Sequence, residues 1–176
     1  MTAHGAADPL SSEGRAPVLV LGLGNLLLTD DGVGLTLLEQ LKAKRDWGPE
    51  VEFIDGGTRG IVLLTYLEKR RALLVLDAIA LGDPPGAVRV IEGYEHFLHI
   101  ASTPGSAHEG NALQLLQSAY ILGMAPMKVA VVGIAPAELQ TGIALSDTVK
   151  EAVPQALQRA EEQLAKLLNA LSESSS

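Results

Sequence analysis

The chain has 176 residues, a formal net charge of −8, 47% hydrophobic residues and no cysteine. Its length favours one domain with a substantial core, and its acidic balance argues against a nucleic-acid partner, which would require a basic patch. The lack of cysteine excludes a thiol nucleophile, thiolate metal ligation and disulfides. No apolar run approaches the roughly 20 residues of a membrane span, and the first 17 residues do not form a secretory signal. We therefore expect a cytoplasmic protein with no membrane partner.

The first predicted strand covers residues 18–21, an all-apolar run typical of a strand buried on both faces of a parallel sheet. The loop that follows begins Gly22-Leu23-Gly24, but Leu27 occupies the third glycine position of a dinucleotide-binding fingerprint. The chain also lacks the Lys-Ser or Lys-Thr pair of a phosphate-binding P-loop. We therefore predict no nucleotide cofactor, and a loop whose acidic residues carry its function.

Two adjacent acids end this loop. Asp30 is placed to cap a helix predicted over residues 31–44, because its carboxylate can accept the free N–H groups of the first turn. Asp31 can be either a favourable charge in that first turn or a ligand, and the spacing alone leaves both readings open. Because adjacent side chains at a helix start point apart, a hydrolase built on the Asp30–Asp31 pair is disfavoured.

Strands and helices alternate along the rest of the chain. Further strands are predicted at residues 51–54, 72–76, 87–91 and 128–132. The fourth strand should run antiparallel to the third, because the short connection between them cannot make a crossover. Further helices are predicted at 60–68, from a capping box at 106–109 to Gly123, and after Ser146, where an apolar stripe continues through Pro154 as a kinked helix.

Two segments are predicted to be irregular. Residues 93–105 show no periodicity and are predicted as a long loop, and residues 55–58 are predicted as a turn in which Asp55 hydrogen-bonds its own backbone. The alternation as a whole predicts a single three-layer α/β/α domain over residues 17–171. A flexible lead-in at 1–16 and a frayed tail at 172–176 would flank it.

Three side chains are predicted to lie where loops leave strand ends: Asp31, Asp77 and His108. If the first and third strands are neighbours, Asp31 and Asp77 face one crevice at the topological switch point. Two carboxylates and an imidazole suit a borderline divalent ion, and a position in the first turn of a helix keeps His108 neutral. Each residue also has a structural reading: a helix-start charge for Asp31, a turn cap for Asp77 and a solvated loop residue for His108.

Taken together, the motifs of this chain resemble those of the hydrogenase maturation endopeptidases, which trim the C-terminus of the NiFe-hydrogenase large subunit. The resemblance extends from about residue 18 to residue 168. It is carried by Gly22-Leu23-Gly24-Asn25, Asp30-Asp31-Gly32-Val33-Gly34, Asp55-Gly56-Gly57-Thr58, Asp77-Ala78, His108, Gly133-Ile134 with Pro136 and Glu138, and Leu145-Ser146.

The resemblance implies a phosphorylase/hydrolase-like fold with a five-stranded, mostly parallel sheet, strand order 2-1-3-5-4 and strand 4 antiparallel. It also implies that Asp31, Asp77 and His108 contact nickel. Some members of the family carry Glu at the position of Asp31, so the ligand is one methylene shorter here. The same resemblance implies substrate contacts at the first loop and at the end of the second strand, through Gly24, Asn25, Asp55, Gly56, Gly57 and Thr58.

The implied activity is an aspartic-type endopeptidase that removes the C-terminal extension of the hydrogenase large-subunit precursor after nickel insertion. Nickel would come from the precursor and would serve as the recognition signal. We also expect a monomer, since nothing in the sequence requires a larger assembly. Asp31 or Asp77 would act as general base, provided that the metal does not fully occupy it. The alternatives are a non-catalytic nickel-sensing chaperone of the large subunit, and a germination protease, which the short chain disfavours.

Overall fold

The strands of this computed structural model form one five-stranded sheet with the order β2-β1-β3-β5-β4. The structure describes residues 14–102 and 111–174. The strands are β1 (Val18–Leu23), β2 (Val51–Gly57), β3 (Ala72–Ala78), β4 (Val88–Glu92) and β5 (Lys128–Ile134). All neighbouring pairs are parallel except β4 and β5, which are antiparallel. The fold class, strand order and antiparallel β4 expected from the sequence are confirmed.

Five helices cover the two faces of the sheet within the described residues. They are α1 (Val33–Ala43), α2 (Leu64–Leu67), α3 (Tyr94–Ala101), α4 (Asn111–Ile121) and α5 (Asp147–Glu173), with short 3-10 turns before α1 and α2. Helices α1 and α5 pack on one face, and α2, α3 and α4 pack on the other. Each face contributes alternate side chains of the same buried strands, so β1 and β3 are apolar at nearly every position. The result is the predicted α/β/α sandwich.

Helix α3 corrects the prediction of a long loop over residues 93–105. Gly93, at φ +76°, turns the chain out of β4, and the helix then buries Phe97, which is 1% exposed. The helix has only eight residues, and the polar His96 and His99 lie on its exposed side. A helix this short shows barely two turns of periodicity, so its single buried anchor was not visible as a pattern.

Helix α5 confirms the prediction of one continuous terminal helix. Ser146 is its N-cap, since the Ser146 hydroxyl accepts a hydrogen bond from the Val149 N–H at 3.3 Å. The helix continues through Pro154 and ends at Glu173, two residues beyond the predicted end of the domain at residue 171. The capping box predicted at residues 106–109 lies outside the described residues. In the described part of the chain, no helix combines the length and the apolar character needed to cross a bilayer.

Candidate active site

The candidate site lies at the carboxyl ends of β1 and β3. Asp31 lies in the 3-10 turn after β1, and Asp77 is the next-to-last residue of β3. Gly34 allows α1 to approach both strands, because a Cβ on Gly34 would lie 2.3 Å from the Leu23 carbonyl oxygen and 2.4 Å from that of Leu76. The start of α1 therefore lies directly against the two neighbouring strand ends, as at the switch point of an open α/β sheet.

Asp77 is a buried carboxylate held by two backbone N–H groups. The residue is 1% exposed, its Oδ1 accepts from the Ala78 N–H at 2.9 Å, and its Oδ2 accepts from the Ala112 N–H at 2.9 Å. Burial raises the pKa of Asp77 to about 7, and the charge of Asp31 adds to the increase, while the hydrogen bonds oppose it. Asp77 is thus a carboxyl group that changes its protonation near neutral pH.

Asp31 is partly exposed and is fixed by the loop that precedes it. Its Oδ2 accepts a hydrogen bond from the Asn25 N–H at 2.9 Å, and Asn25 Oδ1 accepts from the Leu27 N–H at 2.9 Å. Gly24 has φ +132°, and a Cβ at this position would overlap the Asp31 carbonyl oxygen. Gly24 and Asn25, which the resemblance marks as substrate contacts, therefore also shape the loop around Asp31.

Asp30 does not cap α1, contrary to the prediction from its position. Helix α1 begins at Val33 without a side-chain cap, and Asp30 is fully buried. Its carboxylate accepts four hydrogen bonds of 2.7 to 2.9 Å, from the N–H groups of Ala137, Glu138 and Ser146 and from the Ser146 hydroxyl. Burial disfavours the charged form of Asp30, but these hydrogen bonds outweigh burial and hold its pKa below the usual value. The carboxylate joins two loops instead of capping a helix.

The loop between β5 and α5 consequently forms one wall of the site. Thr29 contributes two further bonds to it: its N–H donates to the Gly142 carbonyl at 2.8 Å, and its hydroxyl donates to the Glu138 carbonyl at 2.7 Å. The Gly142 N–H donates to the Leu27 carbonyl at 2.9 Å. The resemblance included Glu138 and Ser146 among its motif residues, but no local pattern predicted their contact with Asp30.

Four exposed apolar side chains border this part of the molecule, and we call them the apolar rim. Two lie in the loop after β1 and two in the loop after β5, with exposed fractions of 52 to 84%: Leu26, Leu27, Leu139 and Ile143. The bridge between Leu28 and Gly142 keeps the two loops side by side. Exposed leucine and isoleucine on two adjoining loops are a feature of protein-binding surfaces.

The end of β2 differs from the predicted turn. Strand β2 continues through Gly57, so three of the four residues predicted as a turn belong to the strand. Arg59 closes the segment: its guanidinium donates to the carbonyl oxygens of Asp55 and Gly56. The Gly57 carbonyl accepts from the Gly24 N–H at 3.0 Å, which joins this segment to the loop before Asp31, while Thr58 is exposed.

His108, the third predicted ligand, lies outside the described residues. Among residues 14–102 and 111–174, no three His, Asp or Glu side chains come together as a metal-binding group. What the structure brings together is the carboxylate pair of Asp31 and Asp77, which interact electrostatically. Two carboxylate oxygen donors at one edge of a sheet suit a divalent cation.

Comparison with known proteins identifies several close relatives. A family model described as hydrogenase maturation protease matches residues 35–163. The chain is 33% identical over 143 residues to the hydrogenase expression/formation protein HoxM of Cupriavidus necator, and this alignment covers 81% of this chain and 71% of that protein. It is 32% identical over 143 residues to the hydrogenase 2 maturation protease of Escherichia coli, and this alignment covers 81% of this chain and 87% of that protein.

The fold shows the same similarity. The solved structure of the hydrogenase maturating endopeptidase HybD from E. coli superposes with a TM-score of 0.70 at 32% sequence identity, covering 89% of this chain and 93% of that chain. The HybD maturation protease from Thermococcus kodakarensis superposes with a TM-score of 0.65 at 27% identity, covering 84% of this chain and 98% of that chain.

Proposed function

Since this chain belongs to the family of hydrogenase maturation proteases and is an endopeptidase, we propose that it removes the C-terminal extension of a NiFe-hydrogenase large-subunit precursor. In this proposal nickel has already been inserted into the precursor and is part of the substrate. Cleavage follows only when that nickel docks at the carboxyl ends of β1 and β3.

The observation that carries the proposal is the buried carboxyl group of Asp77 beside the carboxylate of Asp31. Burial raises the pKa of Asp77 to about 7, and the neighbouring charge of Asp31 contributes to that increase, so a second negative charge is disfavoured while no cation is near. A divalent cation between the two groups would reverse this balance and favour both ionised forms. A substrate that brings its own nickel would thus complete the electrostatics of the site.

The residue roles follow from this arrangement. Asp31 and Asp77, together with His108 from the family resemblance, would hold the precursor's nickel, which supplies a Lewis acid next to the scissile bond. Whichever of the two carboxylates is less committed to the metal would accept a proton from the water that attacks the scissile carbonyl, and would pass it to the leaving amine as the peptide C–N bond breaks. The loop residues Gly24, Asn25, Asp55, Gly56, Gly57 and Thr58 would contact the precursor beside the nickel.

The apolar rim supports a polypeptide substrate. Leu26, Leu27, Leu139 and Ile143 are exposed on the two loops that adjoin Asp31. Exposed apolar side chains next to a site are stabilised when a partner covers them. A flexible C-terminal extension that crosses this edge of the sheet would bury them while its scissile bond lies near the carboxylates.

The test is the intact mass of the cognate large-subunit precursor after incubation with this protein, with and without nickel in the precursor. Nickel-dependent loss of a C-terminal peptide, abolished in Asp31→Ala, Asp77→Ala and His108→Ala, is the expected result. Stable binding with an unchanged mass would instead identify a nickel-sensing chaperone. Cleavage that is indifferent to nickel and to all three substitutions would refute the site.

A further inference from the structure

We propose that Asp30 is a positioning residue, which fixes Asp31 for cleavage by clasping the loop between β5 and α5. We call the hydrogen bonds of the Asp30 carboxylate to Ala137, Glu138 and Ser146 the clasp. The proposal rests on the proposed function only in its assignment of Asp31 to the reacting site. The clasp itself follows from geometry within the described residues.

The clasp uses the acceptor capacity of a carboxylate in full. Oδ2 of Asp30 accepts from the Ala137 N–H at 2.9 Å, the Glu138 N–H at 2.8 Å and the Ser146 hydroxyl at 2.8 Å. Oδ1 accepts from the Ser146 N–H at 2.7 Å. An asparagine has one acceptor oxygen and an NH₂ group, so in this place one N–H donor would face another. Only a carboxylate of this length satisfies all four donors.

The backbone that leads into Asp30 is bound to the same loop. The Asp30 N–H donates to the Glu138 carbonyl at 3.2 Å, and the Thr29 N–H donates to the Gly142 carbonyl at 2.8 Å. Thr29 has φ +40°, a left-handed conformation that is uncommon for a residue other than glycine. Bonds from both its N–H and its hydroxyl hold it there. Such a conformation persists only where the surroundings determine it.

Asp31 follows directly in the chain and receives its orientation from this arrangement. Its N–H donates to the Leu28 carbonyl at 3.0 Å, and its Oδ2 accepts from the Asn25 N–H at 2.9 Å. The peptide that joins Asp30 to Asp31 is therefore fixed on one side by the clasp and on the other by the loop after β1. Release of the clasp frees that peptide to rotate, and the Asp31 carboxylate leaves its position beside Asp77.

A positioning role differs from a merely structural one in what it changes. Loss of the clasp should lower kcat, because reacting groups that are displaced by about 1 Å lose roughly a hundredfold in rate. It should leave KM nearly unchanged, because the bonds of Thr29 to Glu138 and Gly142 still hold the two loops of the apolar rim together. The Asn25 N–H reports on Asp31 directly, since it donates to the Asp31 carboxylate.

The experiment compares Asp30→Asn and Ser146→Ala with Ser172→Ala, a matched control whose hydroxyl donates to Leu168 near the far end of α5. Two readouts are taken on the full chain: kcat and KM with the nickel-loaded precursor, and the amide signal and hydrogen exchange of Asn25 by NMR. Ser146→Ala removes the hydroxyl from the clasp together with the N-cap of α5, but it keeps the Asp30 carboxylate and the three backbone N–H donors of the clasp. It therefore remains informative through the Asn25 amide if Asp30→Asn does not fold.

The expected result for Asp30→Asn is a fall in kcat of roughly tenfold to a hundredfold with KM within about twofold, and faster exchange of the Asn25 amide. Ser146→Ala should show a smaller change in the same direction, and Ser172→Ala none. An Asn25 amide that is unchanged in both clasp variants would overturn the proposal. If the wild-type protein does not cleave the precursor, the proposed function fails, while the Asn25 readout still decides whether Asp30 positions Asp31.

Discussion

The Asp77 carboxylate accepts a hydrogen bond from the Ala112 N–H at 2.9 Å, which joins β3 to α4 across 35 residues of sequence. The bond joins a group buried at the carboxyl end of the central strand to α4, which packs on the face of the sheet opposite α1. Hydrogen bonds to the carboxylate favour its charged form, but burial outweighs them and the pKa of Asp77 is raised to about 7. Asp77 is therefore a source of pH-dependent stability.

The first prediction concerns the stability of Asp77→Asn as a function of pH. The pKa of Asp77 is higher in the folded protein than in the unfolded chain. The contribution of protonated Asp77 to the stability of the wild type is therefore fully present below the pKa of the unfolded chain, and it is lost as the pH rises through about 7. The uncharged asparagine has no such loss. As the pH rises from about 5 to about 8, the unfolding free energy of the metal-free wild type should fall by roughly 2 to 3 kcal/mol relative to that of Asp77→Asn.

Urea unfolding at several pH values measures this difference. Asp83→Asn is the control, because hydrogen bonds from Arg89 hold the pKa of Asp83 below its usual value and its contribution is constant over this range. Parallel pH profiles for wild type and Asp77→Asn would contradict the prediction.

The second prediction separates the length of the residue at position 31 from its charge. Asp31→Glu keeps a carboxylate and lengthens the side chain by one methylene, so nickel-dependent cleavage should be reduced by less than about tenfold, since the donor type is unchanged. Asp31→Asn keeps the size but not the charge, and cleavage should fall by roughly a hundredfold or more. Equal activity of the Asn and Glu variants would show that charge at this position has no role.

The third prediction concerns the contact of α1 with the strand ends. Gly34→Ala would place a methyl group against the carbonyl oxygens of Leu23 and Leu76 and within 2.9 Å of the Asp77 Cα. Backbone atoms cannot move aside cheaply, so we expect a loss of roughly 3 kcal/mol in unfolding free energy. Thermal unfolding beside Gln40→Ala, an exposed change in the same helix, provides the measurement. Equal melting temperatures would refute the close approach.

The fourth prediction tests the apolar rim as the precursor-binding surface. Ile143→Ser removes an isoleucine that is 84% exposed beside the site, and Ile121→Ser removes one that is 79% exposed at the far end of α4. Both changes should leave stability within about 0.5 kcal/mol. Only Ile143→Ser should raise the KM for the precursor, by roughly threefold or more, because it alone removes apolar area that the precursor covers. Equal KM values for the two variants would remove the rim from substrate binding.

The fifth prediction concerns Tyr94, which lies between Phe97 and Tyr120. Among the described residues, its buried hydroxyl has no hydrogen-bond partner, while its ring contacts the other two rings at 6.2 and 5.5 Å. Tyr94→Phe keeps these contacts and removes the desolvated hydroxyl, so unfolding should require about 1 kcal/mol more. Tyr120→Phe, at a residue that is 49% exposed, should be neutral. A destabilised Tyr94→Phe would mean that the hydroxyl is bonded.

The strands and the positions of the two carboxylates, Asp31 and Asp77, could be predicted because the sequence patterns that indicate them are local. An apolar run such as β3 is buried on both faces of a parallel sheet, and an acid directly after such a run falls at the sheet edge, where Asp77 lies. Asp31 lies at the far end of the loop that leaves β1, in the 3-10 turn before α1. The antiparallel direction of β4 was predictable because the connection from β3 is too short for a crossover.

The clasp was not predictable from local pattern, because three of its four donors are backbone N–H groups, which almost any residue type would supply. An aspartate before a helix is typically read as an N-cap, and nothing near Asp30 in the sequence indicates a partner 116 residues away. The loop after β5 thus became part of the site only when the strand order brought it beside the loop after β1.

That distance along the chain has a consequence for synthesis. The clasp joins a residue near the first strand to one just before the last helix, and contacts of such long range form slowly, because the entropy of closing a long loop opposes them. During translation, the acids that follow β1 emerge early but acquire their final arrangement only after Ser146 has left the ribosome. Under the positioning role proposed for Asp30, a chain that ends before Ser146 therefore lacks the contact that would orient Asp31.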